Sequence, residues 1–409
     1  MTSRERILAS INHREPDRLP IDCGAMRSTG IQAIAYHKLK VHLGIWQGRT
    51  RVFDVVQQLA EPEPFYLDRF RVDAVNAGWE FAPKDWKEWI LPDGSACQIP
   101  AHIRFQREGH DWLAFNDVGE VVARMIEGCT YFSQTIHPLH REDWTAGLED
   151  LGRAMDSVCW SALPEPLYAG GLSDENLVRI GEHVRQLRER SDRAIMIAYG
   201  ANLFEWGSYL RRMDNFLLDL AGEQAKAVAL LDKLVELHLA GLDRLLPVVG
   251  DHVDLIQLGD DLGMEAGPFF SPALFRSVFK PRYTAIVKHI RKRCPRLRIF
   301  LHCCGSIRPL LPDLIEAGIE VINPVQIAAR NMDPAVLKRE FGSALTFWGG
   351  GCDTQKVLPR GTPQEVKDHV RRNIDIFAPG GGFVFCQVHN ILADVPPENI
   401  VAMYEAAMA

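Results

Sequence analysis

No uninterrupted apolar run in this chain reaches the ~18 residues of a membrane-crossing helix, which argues against an integral membrane protein of that kind. An excess of positive charge is missing as well. Lys and Arg number 46 against 53 Asp and Glu, giving a net charge of -7 and a pI near 6.1, a poor match for a nucleic-acid polyanion. Residues 1–20 are too charged for a secretory signal. Nine cysteines, an odd number with two of them adjacent, do not form a disulfide framework. The expectation is a reducing cytoplasm in which thiols stay free to bind metal. Internal repeats, low-complexity segments and long Pro/Gly/Ser linkers are also absent. The 409 residues, 47% hydrophobic and 24% charged, therefore read as one large elaborated domain, 1–409, able to bury a sizeable core.

What the chain does contain is alternation. Short β-like apolar runs occur at 18–23, 72–77, 194–199, 253–258, 298–303, 320–323, 345–348 and 383–388. From the third onward each is followed by helix-length sequence, at 216–248, 272–293, 307–316, 334–340, 363–376 and 398–408. Ser271-Pro272, Asp333-Pro334 and Thr362-Pro363 each offer a capping side chain before a proline at the first helical position, and Glu365 completes a capping box with Thr362. Eight strands, the last six each trailed by a helix, predict an α/β fold, a (β/α)8 TIM barrel. A doubly wound sheet would need a Gly-rich phosphate loop after its first strand, and none is there. Residues 79–135 break the pattern: Pro92-Asp93-Gly94, Asn116-Asp117 and Gly119 flank alternating runs at 101–105 and 121–125. This predicts an antiparallel β excursion inserted in the barrel and covering one end.

The most informative motif is His302-Cys303-Cys304-Gly305, closing the apolar run that starts at Leu297. Side chains alternate along a strand, so His302 and Cys304 share a face and Cys303 takes the other. An imidazole and a thiolate converging at a strand end make half of a zinc site, and Gly305 lets the backbone turn away. The plain alternative is a buried histidine beside inert core cysteines. In such barrels the carboxyl ends of the strands carry the chemistry, so a third ligand is sought there. Cys386 comes first, His389 second, and Cys352, behind the flexible Gly349-Gly350-Gly351, third.

Other strand-end residues join the candidates. Asp260 and Asp261 suit acid/base work, a basic substrate group or support of a ligating histidine; the alternative is a helix cap. Being adjacent, only one of them should face the cavity. Arg27 suits an anion clamp, and Tyr199, Glu205, Asn323 and Gln326 complete the expected substrate-binding set.

Several stretches together resemble the uroporphyrinogen decarboxylase superfamily, within it the cobalamin-dependent methyltransferase branch. They are Arg4-Glu5-Arg6-Ile7, Glu15-Pro16-Asp17-Arg18-Leu19-Pro20, the segment 259–263 with Ser271-Pro272, His302-x-Cys304-Gly305, Gly361-Thr362-Pro363-Gln364-Glu365-Val366 and Asp394-Val395-Pro396-Pro397-Glu398-Asn399-Ile400. The likeness spans nearly the whole chain apart from 79–135. It implies a (β/α)8 barrel and a zinc-dependent methyltransferase moving a methyl group between a small organic donor, such as an aryl methyl ether or methylamine, and a corrinoid protein. Zn2+ would be the chain's own cofactor, with His302 and Cys304 matching the branch's His-x-Cys pair. For the last ligand, counting back from Pro396 favours His389 and residue type favours Cys386. No Asp-x-His-x-x-Gly cobalamin segment is visible, so the corrinoid is expected on a partner protein, with a homodimer left open. Porphyrinogen decarboxylation fits poorly: of the decarboxylases' arginine-rich motif only Arg27 remains, and Ala77-Gly78-Trp79-Glu80 stands where their aspartate is expected. The Trp-rich stretch 79–89 leans towards an organic donor. The alternatives are the second methyl transfer, from methyl-corrinoid to a thiol or folate, a zinc-free decarboxylase-like lyase, and a non-catalytic barrel.

Overall fold

A computed structural model describes residues 1–80 and 86–409; residues 81–85, within the expected excursion and its Trp-rich stretch, lie outside the described residues. Seven parallel strands form one curled sheet in chain order: β1 (Ala74–Asn76), β2 (Ala194–Gly200), β3 (Leu255–Gly259), β4 (Arg298–His302), β5 (Val321–Asn323), β6 (Thr346–Trp348) and β7 (Phe383–Val384). The eighth place is held by one residue. Ile21 bridges in parallel to Val72 on one side and to Phe385 on the other. The amide of Asp22 donates to Phe385 at 2.9 Å, that of Phe385 to Pro20 at 2.8 Å, and that of Asp73 to Ile21 at 2.7 Å. The expected strand at 18–23 is reduced to this bridge because Pro20 has no amide to give and Gly24 turns away at φ 94°. The result is a mixed α/β barrel with eight strand positions, each at its expected place.

The expected caps all form. Ser271 Oγ accepts from the Leu274 amide, Asp333 Oδ1 from Val336, and Thr362 and Glu365 exchange side-chain-to-backbone bonds at 3.3 and 2.8 Å. Two helices depart from expectation. The run 216–248 is broken at Glu223 into Met213–Gly222 and Gln224–Val249. The run 272–293 contains a π-helical turn, Phe275–Phe279, just before Pro281, whose ring nitrogen cannot donate to the preceding turn.

The excursion is antiparallel, as expected. Trp86–Ile90 pairs with Ala96–Pro100, and Arg104–Glu108, Asp111–Phe115, Val121–Met125 and Ser133–Gln134 form a meander. The run at 101–105 yields a strand only from Arg104. His102, Ile103, Phe115 and Val118 wall the space above the barrel.

Two layers fill the core. Met196, Leu255, Phe300, Val321, Trp348 and Cys386 pack inside the barrel. Their alternates, such as Ile256, Ile299, Leu301 and Ile322, face the surrounding helices. No helix among the described residues is long and apolar enough to cross a membrane.

At the N-terminal ends of the strands the barrel is tied by charge. Asp73 is fully buried and accepts from Arg6 Nη1 at 2.7 Å, from both Arg18 terminal nitrogens at 2.7 and 2.8 Å, and from the Ile21 amide at 3.0 Å. Removing one member of such a group strands a buried charge. Asp73→Ala should therefore lower the unfolding free energy by about 3–5 kcal/mol. Urea denaturation measures this, and a loss below about 1 kcal/mol would mean that the cluster does not hold the barrel closed.

Candidate metal centre

Strand alternation sets the site. On β4, Phe300 points into the barrel, Leu301 outward, and His302 inward at the strand end. Cys303 turns outward, where its Sγ accepts from the Leu262 amide at 3.4 Å. Cys304 returns to the face of His302, and its Sγ lies 3.4 Å from His302 Nε2. Gly305 then takes φ 86°; a Cβ there would come 2.3 Å from the backbone of Gly263, so only glycine lets the loops after β3 and β4 approach this closely.

The neighbouring strand orients the imidazole. Asn323 stands opposite His302 in the β4–β5 register. Its Nδ2 donates to the Trp348 carbonyl at 2.7 Å, which fixes the amide and leaves Oδ1 to accept from His302 Nδ1 at 2.6 Å. Nδ1 thus carries the proton, and Nε2 presents a lone pair beside Cys304.

The third donor is His389, which follows the last strand at φ 63°. Its ring centroid lies 5.5 Å from that of His302, and one donor atom from each of His302, Cys304 and His389 falls within 4.8 Å of the others. Burial, then the His302 imidazole, push His389 down to about 4, keeping it a neutral base. Burial and the charge of Asp261 hold the Cys304 thiol well above its usual range. A divalent cation reverses that preference, since a coordinated thiol loses its proton. Tetrahedral zinc with usual Zn–N and Zn–S lengths separates nitrogen and sulfur by about 3.6 Å, close to the 3.4 Å between His302 and Cys304. The trio therefore fits such an ion with one position left for a small molecule.

The other cysteines lie elsewhere. Cys386, favoured by residue type, is fully buried inside the barrel with Phe300 and Trp348, one layer below the mouth. Cys352 is buried in the outer core, where it bridges to Gln387. The geometry brings His389 to the pair and leaves both cysteines away from it.

The acids divide as adjacent strand residues must. Asp260 is fully buried and accepts from the amides of Leu203, Phe204 and Glu205 at 2.9, 2.7 and 2.7 Å and from the Tyr283 hydroxyl at 2.6 Å. It caps the helix Phe204–Arg211 from the neighbouring strand, the structural alternative rather than acid/base work. Burial lifts it to about 6 against the pull of those donors. Asp261 faces the cavity. Its Oδ1 accepts from the Cys304 amide at 2.8 Å and lies 3.5 Å from His302 Nε2.

Of the expected substrate-binding residues, Arg27, Tyr199 and Glu205 line the cavity. Glu205 Oε1 accepts from the Tyr209 hydroxyl at 2.6 Å, and Oε2 from Asn202 and from the Asp261 amide at 3.2 Å. Burial, then the charges of Asp261 and Asp260, push Glu205 up to about 8. Arg27 sits between Asp54 at 3.4 Å and Glu165 at 4.0 Å, over the Trp160 ring. The Tyr199 hydroxyl is taken by the His238 carbonyl at 2.7 Å. Asn323 serves His302, and Gln326 Oε1 accepts from the Gly305 amide at 2.8 Å, so both hold the site's frame. The sequence reading missed Trp160, Trp206 and Tyr209, whose rings border the cavity. The spacing of Glu205 and Tyr209, four apart on one helix, was the available signal. The cavity, which His302 and His389 help to line, measures about 1600 Å³.

A family model for uroporphyrinogen decarboxylase matches residues 170–409, and the chain belongs to that family. No curated protein matches it in sequence. Among solved structures it is similar to a methyltransferase from Methanosarcina mazei, with 18% identity, a TM-score of 0.58, and coverage of 100% of this chain and 98% of that one. At that identity the likeness is one of fold.

Metal analysis checks the trio. His302→Ala and Cys304→Ser should each strip bound zinc and His389→Ala should weaken it, while Cys303→Ser and Cys386→Ser should retain it; zinc loss on Cys386→Ser with retention on His389→Ala would refute this assignment. Asn323→Ala should weaken zinc binding by about 10–100-fold through the lost orientation of His302.

Glu205 yields a second test. Its proton is held more tightly in the folded chain than in the unfolded one, so between the ordinary carboxyl range and about 8 the native state binds the extra proton. Stability should fall as pH rises through that window. In zinc-stripped protein, Glu205→Gln should flatten the fall between pH 5.5 and pH 8 in urea denaturation; an unchanged slope would show that Glu205 is ionised in the native state.

Proposed function

We propose that this chain is a zinc-dependent methyltransferase that moves a methyl group from a small organic donor to a corrinoid carried by a partner protein. The observation that carries the reading is the trio His302, Cys304 and His389, gathered at the carboxyl ends of the strands beneath a large cavity in a barrel of this family. The fold likeness to a methyltransferase supports it. Zinc held by His302, Cys304 and His389 would supply Lewis acidity towards the oxygen, nitrogen or sulfur that bears the methyl, stabilising that atom as the leaving group. A corrinoid on a separate protein would be the acceptor.

The chain's own residues provide orientation and exclusion. Asn323 keeps His302 Nε2 aimed into the mouth and its proton on the far nitrogen. Asp261 braces the Cys304 amide, so the thiol and imidazole stay at one separation. Asp260 anchors the start of the helix that delivers Glu205, Trp206 and Tyr209 to the wall. Residues of the antiparallel excursion, His102, Ile103, Phe115 and Val118, wall part of the mouth. Holding donor and acceptor in line within such a chamber accounts for much of the rate such enzymes reach.

The test is incubation of the zinc-loaded chain with a reduced corrinoid protein and a panel of methyl ethers, methylamines and thioethers, following cobalt absorption. One donor class should change the spectrum at a rate that His302→Ala lowers by about 100-fold or more. Release of carbon dioxide from an acidic substrate by zinc-free protein, with no cobalt change for any donor, would replace this reading by a lyase.

A further inference from the structure

We infer that the methyl donor carries an organic cation, an alkylammonium group, recognised by the rings of Trp206 and Tyr209 together with the carboxyl groups of Glu205 and Asp261; this rests on the mouth being the substrate site. The first observation is the balance of charge. Among the described residues the cavity is lined by seven Asp and Glu side chains and two guanidiniums, with no lysine. Walls of one sign around a low-dielectric space concentrate the opposite charge.

Of the two cations, Arg27 does little to offset this. Arg27 is enclosed between Asp54 and Glu165 with its guanidinium over Trp160, and its buried Nε makes no hydrogen bond. An incoming carboxylate would meet those two acids beside it. Arg153 is exposed on the outer part of the wall. Arg27 therefore offers an anionic substrate no free partner.

The second observation is aromatic. The Trp206 and Tyr209 rings meet edge to face at 6.0 Å and 83°, and Trp160 lies 6.2 Å from Tyr209. Ring faces bordered by carboxylates are the usual environment for alkylammonium groups. The wall is also continuous with the metal trio. Tyr209 bonds to Glu205, Glu205 to the Asp261 amide, and Asp261 reaches within 3.5 Å of His302. One small molecule can thus touch both. The crowding of Glu205 by Asp260 and Asp261 agrees with a place that a positive group would relieve.

Titration calorimetry on the zinc-loaded full chain tests the inference with choline, its neutral isostere 3,3-dimethylbutan-1-ol, and 4-methoxybenzoate. Choline should bind about tenfold or more tighter than the isostere, and the anion weakest. Trp206→Leu and Glu205→Gln should each cut choline affinity by about fivefold and leave the isostere unchanged. Equal affinity for choline and the isostere, or tightest binding of the anion, would overturn it, and the wild-type comparison stands even if a variant fails to fold. Zinc analysis of the same sample separates the two claims. Zinc-bearing protein without cation preference removes only the substrate class, whereas cation preference in protein that binds no zinc keeps a cation site at the mouth and removes the methyltransferase reading.

Discussion

Two neighbouring parallel strands end at the same level, and across that step His302 gives the proton of Nδ1 to Oδ1 of Asn323 at 2.6 Å. An imidazole at a strand end is otherwise free to turn and to exchange tautomers. Here it cannot. The Asn323 amide is held by the Trp348 carbonyl, and the Trp348 indole, fully buried inside the barrel, donates to Asp22 at 2.7 Å. The amide of Asp22 in turn donates to Phe385 in the bridge that closes the barrel. The direction of one lone pair at the mouth is thus fixed by the closure of the whole ring, through buried groups whose polar atoms would be costly to leave unpaired.

The same economy shows in Asp260 and Asp261, where adjacency puts one carboxylate in the protein and the other in the cavity. The buried one gathers three amides at the start of a helix, the positive end of its dipole. That helix could not otherwise begin at this depth without orphaned donors. Through it, an acid without access to substrate decides where Glu205, Trp206 and Tyr209 stand. The exposed one braces Cys304. Neither needs to exchange a proton to be indispensable to the site.

Most of the barrel was legible because its signals are local. Strand length, a capping side chain before proline, and alternation of β4 are fixed by neighbours in sequence, so His302 and Cys304 on one face with Cys303 on the other follows from four consecutive residues. What was not legible depends on contacts distant in sequence. Nothing around Asn323 says that its amide faces a histidine 21 residues earlier, and the breaks at Glu223 and Phe275–Phe279 interrupt runs that are helical by pattern. Residue type argued for Cys386, but a strand carries its inward residues in layers, and the layer of Cys386 lies inside the packed core.

The opening motifs that carried the family resemblance have a different physical meaning from the site. Arg6 and Arg18 converge on Asp73, while Arg4 reaches Asp254, all at the N-terminal ends of the strands. They hold the barrel, whereas the carboxyl ends hold the chemistry. The third donor then sets the electrical character of that chemistry. Two thiolates and an imidazole would neutralise a divalent cation; two imidazoles and the single thiolate of Cys304 would leave it a net charge of +1. With zinc bound, a mouth with that donor set would keep more Lewis acidity and gain from a carboxylate close by in compensation. Asp261, 3.5 Å from His302 and already bonded to the Cys304 amide, stands where such compensation acts on both ligands at once.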